Sequence, residues 1–179
     1  MNKKLSLTEL KQQLIYKSHA ELVEEIALLY KKFPLVKEYY QSNLSGDDTE
    51  VLNKYRDIIR GEFVMNGNRM PKLRLSVARK AVTDFKKVSS SPYNTADLML
   101  FYVETGVQCM LEFGMDEPFC NSMESMYETA LKHIVKEKLF AIFDSRLKDI
   151  IRVSGGAGWG IDDQMSCLYE DYEAMVAEP

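Results

Sequence analysis

Helix-start signals recur along this chain, each followed by apolar residues three and four apart. Ser6-x-x-Glu9 and Ser18-x-x-Glu21 are capping boxes, in which hydroxyl and carboxylate satisfy backbone N–H groups that lack an intrahelical acceptor. The first precedes Leu7, Leu10 and Leu14, and the second precedes Leu22, Ile26, Leu29 and Phe33. Asp47-x-x-Glu50 repeats the signal before Val51, Tyr55, Ile58, Ile59 and Phe63. Pro34 ends the second helix or opens a short third, while Pro71 and Pro118 suit first turns, where the missing N–H would be unpaired anyway. Gly114 reads as a C-cap after the most apolar stretch, residues 98–113. No segment alternates as a strand. The spacing predicts an all-α fold, a bundle or short irregular stack of eight or nine helices joined by short loops. A single domain over 1–179 is expected, with the Ser-rich linker at 89–94 as the one place for a seam between helical halves.

With 46% hydrophobic residues in 179, the chain has the apolar mass to offset its conformational entropy, which excludes intrinsic disorder. No apolar run approaches the ~20 residues of a membrane span. Met1-Asn2-Lys3-Lys4 leads into a charged helical pattern rather than a signal peptide. Three cysteines, an odd number, fit reduced thiols, and the expected location is cytoplasmic.

The net charge of −4 conceals a segregation. Residues 54–87 carry ten bases and three acids, whereas residues 104–128 and 162–178 each carry six acids and no base. On a helix expected over 71–88, Lys72, Arg79, Lys80, Lys86 and Lys87 fall opposite the apolar arc. That face is the candidate binding surface, and its bland alternative is a solvated face. Arg74 projects instead into the apolar arc, where a lone guanidinium would be costly. It is expected to pair with Glu104 or Glu124 on a facing helix, either as a buried ion pair or as the anchor of a pocket.

Assembled chemistry is absent from the pattern. His19 and His133 are the only histidines, and Cys109, Cys120 and Cys167 form no Cys-x-x-Cys pair, so no metal site and no cofactor are expected. Carboxylate stripes occur at Asp97, Glu104 and Glu112 and at Glu117, Glu124 and Glu128, the ordinary outer face of amphipathic helices. The loop from Ser154 to Gly160 lacks the Lys-Ser/Thr of a phosphate loop, and Asp162 and Asp163 follow it. It reads as a reversal in which Gly155 ends one helix, an aspartate caps the next, and Trp159 plugs a gap or marks a contact surface.

Several segments carry a family resemblance: Leu5-Ser6-Leu7-Thr8-Glu9-Leu10-Lys11, Lys72-Leu73-Arg74-Leu75-Ser76-Val77-Ala78, Asp97-Leu98-Met99-Leu100-Phe101-Tyr102-Val103-Glu104, Asp116-Glu117-Pro118-Phe119 and Gly158-Trp159-Gly160. Together they resemble DUF6155, a bacterial family without an assigned activity, over nearly the whole chain. The opening hairpin, Ser6 to Phe33, is also faintly similar to SAP-type DNA-binding hairpins. Its second helix, however, places Glu21, Glu24 and Glu25 ahead of Lys31 and Lys32, and acids there would repel phosphate. The functional expectation is a helical interaction or adaptor module for another macromolecule, protein in preference to nucleic acid, with no membrane partner. A homodimer through the acidic and basic faces is compatible with the sequence. The alternative is a small-ligand binder or enzyme using Arg74 with Glu104 or Glu124.

Overall fold

The computed structural model describes residues 4–44 and 48–177. Among them run nine helices and no strand: α1 (Leu7–Ile15), α2 (His19–Lys32), α3 (Pro34–Leu44), α4 (Thr49–Phe63), α5 (Leu75–Val88), α6 (Pro92–Phe113), α7 (Glu117–Lys136), α8 (Phe140–Ser154) and α9 (Ile161–Ala177). The core is built by α4 to α9 and centres on α6, which packs on α4, α5, α7 and α8. A helix enclosed on several sides must be apolar around most of its circumference. Accordingly Leu98, Met99, Leu100, Val103 and Val107 on α6 are all buried. Phe63 of α4 wedges edge-on between Tyr102 of α6 and Phe119 of α7, with ring centroids 5.0 and 5.3 Å away. At Gly106, α6 and α7 approach so closely that an added Cβ would lie 2.0 Å from Met123 Sδ.

Both serine capping boxes form: Ser6 with Glu9, and Ser18 with Glu21. Asp47 lies outside the described residues, as do Met1, Asn2, Lys3 and Glu178. The residue before α4, Asp48, makes no cap bond to its own helix and instead accepts from Ser89 Oγ (2.7 Å) and the Asn94 amide. With Asn43 donating to the Val88 carbonyl at 2.9 Å, these bonds fasten the 89–94 connection to the end of α3 and the start of α4. One continuous buried cluster runs from Val51 through to Tyr169, on both sides of that connection.

Two helix starts differ from the sequence expectation. α5 begins at Leu75, not Pro71. Glu62, at the end of α4, accounts for this: its carbonyl accepts from the Leu73 N–H at 2.9 Å, and its carboxylate accepts from the Arg74 N–H at 3.2 Å. Those bonds hold Leu73 at φ 58° and Arg74 outside helical geometry, so the helix can propagate only beyond them. α9 begins directly after Gly160, so Asp162 and Asp163 sit inside its first turn rather than at a cap, where they still favour the helix dipole. Gly114 closes α6 at φ 62°, with its N–H on the Met110 carbonyl.

Candidate functional site

The basic face of α5 is largely answered from within the molecule. Lys80 and Lys87 both bind Asp84, which lies between them on the same helix, and their ammonium groups hold its carboxyl below the usual range. Arg79 reaches across to α7, where its Nε donates to Ser122 Oγ (2.9 Å) and its other nitrogen to the Ser122 carbonyl (2.8 Å). Lys72 precedes α5 altogether. Lys72 acts electrostatically on the Glu62 carboxylate, so of the five candidate bases Lys86 alone has no polar partner among the described residues.

Arg74 does not meet Glu104 or Glu124. Because α5 starts one residue later, its side chain turns back along α4 and forms a two-pronged pair with buried Glu62, Nε to Oε2 at 3.0 Å and a terminal nitrogen to Oε1 at 2.6 Å. These hydrogen bonds lower the Glu62 carboxyl pKa against the opposing effect of burial. The helical projection over 71–88 fails at this residue because the segment before Leu75 is not helix.

Glu104 belongs to a different constellation that the sequence did not reveal. Arg146 of α8 clasps it through Nε (2.6 Å) and a terminal nitrogen (2.8 Å), and reaches Asp97, two turns earlier on the same face of α6, at 2.6 Å. Arg56 of α4 binds the other oxygen of Asp97 and lies over the Phe101 ring. Burial alone would depress the Arg146 guanidinium; the carboxylates of Glu104 and Asp97 outweigh it and raise its pKa. With each carboxylate neutralised, this network fastens α4, α6 and α8. A cleft of about 130 Å³ lies beside it between α6 and α8, lined by Glu104, Val107, Gln108, Asp149, Ile150 and Val153. Glu124 is half-buried without a polar partner among the described residues, and burial pushes its carboxyl pKa up. The periodicity of α6 could have pointed to Asp97, which sits in its otherwise apolar stretch, but nothing local marks Arg146 as its partner.

The 64–74, 114–116 and 155–160 connections meet, the first two around one cleft and the third through a bond from Trp159 to Met115. Trp159 is exposed, and its indole N–H donates to the Met115 carbonyl at 3.0 Å, tying the third connection to the second. Trp159 and Leu73 both hold positive φ, 61° and 58°, a conformation that costs an L side chain roughly 1–3 kcal/mol and persists only where the surroundings impose it. Between the first two connections opens a cleft of about 510 Å³, walled by Met70, Leu73, Phe113, Met115, Pro118 and Phe119. Met70, on the wall of this cleft, is 63% exposed. Among the described residues no group of three or more His, Cys, Asp or Glu is placed to hold a metal ion, and no helix is long and apolar enough to cross a membrane. Cys109 and Cys120 are buried thiols and Cys167 an exposed one, with none in a disulfide. Burial pushes the Cys109 thiol up to about 11, away from the nucleophilic thiolate.

The model of a family of unknown function, DUF6155, matches residues 5–173. No curated protein and no solved structure matches the chain.

Proposed function

The chain belongs to the DUF6155 family of unknown function, and we propose that it is a protein-binding module whose partner seats apolar side chains in the loop-end cleft. The observation that carries this reading is the exposure of Met70 and Leu73 on one cleft, with exposed Trp159 bonded to the carbonyl of Met115, another residue of its wall. Contiguous apolar surface in water is unfavourable by about 25 cal/mol per Å², and methionine and tryptophan are residue types enriched at protein contacts. Nucleic acid is the weaker reading, because Asp84 and Ser122 already occupy Lys80, Lys87 and Arg79. An enzyme acting through Arg74 is weaker still, since Glu62 holds that guanidinium.

Trp159 is the only tryptophan, and through its bond to the Met115 carbonyl it sits next to the cleft wall, where its emission reports on that end of the bundle. A peptide library displayed on phage would be selected against the full chain and counter-selected against Leu73→Asp. Selected peptides rich in apolar anchors should shift the Trp159 emission to the blue and lose at least about tenfold in affinity for the variant. Peptides that bind both proteins equally, or a library that yields none, would sink the reading.

A further inference from the structure

The wall of the loop-end cleft leads onto an arginine that no carboxylate pairs with among the described residues. Leu75 of α5 and Pro118 of α7 both line the cleft. One turn further along each helix, and about 40° around it, stand Arg79 and Ser122. The half-buried Arg79 guanidinium spans the seam between the two helices, with Nε on Ser122 Oγ and Nη2 on the Ser122 carbonyl, and lies 5.9 Å from the centre of the Tyr102 ring. Arg56, Arg60, Arg74, Arg146 and Arg152 each meet a carboxylate. Arg79 meets a serine, which fixes the direction of its fork and leaves its charge intact. Its Nη1 bonds to no described residue and is open to solvent. Both hydrogens of Nη1 and the second hydrogen of Nη2 therefore remain, an outward fork that suits the two oxygens of a carboxylate.

The surrounding charges favour an anion at that place. Lys86 lies within about 20° of Arg79 around α5, whereas Lys80, Asp84 and Lys87 lie about 80–140° away and answer one another. On α7, Ser125 and Thr129 fall within about 60° of Ser122, while Glu117, Glu124 and Glu128 lie about 120–160° from it. Among the described residues that line the cleft, Asp116 is the charged one; it sits at the loop side and caps α7 by accepting from the Phe119 N–H. A segment lying in the cleft thus meets an acid at its loop end and cations at its helix end. Given the protein-binding reading of this cleft, on which this rests, we propose that its occupant is an acidic amphipathic peptide. Its apolar anchor fills the cleft, and its carboxylate, one helical turn (~6 Å) beyond, takes the outer N–H groups of Arg79.

The test uses the full chain and peptides selected on it from a phage-displayed library. Peptides that depend on Leu73 should carry Asp or Glu at a fixed spacing from an apolar anchor. Exchanging that acid for its amide should weaken binding to the parent about tenfold, and binding to Arg79→Gln by no more than about twofold. Comparing the four combinations isolates the pair even where the variant alters stability. Lys80→Gln, which removes the same charge from the far flank of α5, should bind within about twofold of the parent. Peptides that need Leu73 but carry no acid, or whose acid matters equally to Arg79→Gln and to the parent, overturn the acidic occupant and leave the cleft a protein-binding surface. Equal losses in Lys80→Gln and Arg79→Gln overturn it too, since net charge alone would then account for the binding. A library that yields no Leu73-dependent peptide overturns both.

Discussion

Replacing Gly106 by alanine sets two opposed effects against each other at the closest approach of α6 and α7. Within a helix the exchange removes backbone freedom from the unfolded chain and favours folding by about 0.5–1 kcal/mol. Against this, the new Cβ would lie 2.0 Å from Met123 Sδ, 2.8 Å from its Cε and 3.3 Å from its Cγ, well inside contact distance. A methionine ordinarily yields by rotating, but Met123 is fully buried, so three of its side-chain atoms would have to move into occupied space. Overpacking of this kind costs about 1–3 kcal/mol, and the repulsion wins. The net expectation is a loss of about 1–2 kcal/mol, or a Tm lower by roughly 2–8 °C for a domain of this size. Calorimetry on Gly106→Ala, Met123→Ala and the double variant forms a complete cycle. Met123→Ala alone should cost about 2–5 kcal/mol through the cavity it leaves, and the double variant should cost at least ~1 kcal/mol less than the two singles combined. Strict additivity, or a Gly106→Ala protein more stable than its parent, would show that the helices are not held at this spacing.

The Arg146 network and the Glu62–Arg74 pair make two further checks. Arg146→Met should destabilise by about 2–3 kcal/mol, below the full effect of breaking a buried pair because Arg56 still serves Asp97 and 27% of the Arg146 side chain meets solvent. An unchanged urea midpoint would mean that the network positions the helices without stabilising them. Glu62 has a folded-state pKa below its ordinary 4.5, so its contribution is fully present above 4.5 and is lost as pH falls through the lowered value. Glu62→Gln should therefore be less stable than the parent at neutral pH, with the gap closing in acid; urea titrations showing a gap independent of pH would contradict the assignment.

What could be read from the residues alone follows their range of action. Helix starts at Ser6, Ser18 and Pro118, the Gly114 stop and the buried stripe of α6 depend on bonds within four residues, and neighbours three or four apart report them faithfully. The start of α5 was misplaced because its determinant, Glu62, lies twelve residues before Arg74 and acts through space. The same distance hid the site chemistry. Charge segregation was visible in the sequence, and so was Asp84 four and three residues from Lys80 and Lys87, but the tie of Arg79 to Ser122 on α7 and of Glu104 to Arg146 spans 43 and 42 residues. Local hydrogen bonding and apolar period thus determined that this chain is all helix. Tertiary packing decided which charges cancel between helices, which loops meet around the cleft, and which helices are left outside the core, because side-chain pairing and desolvation across helices depend on separations in space that residue order does not record.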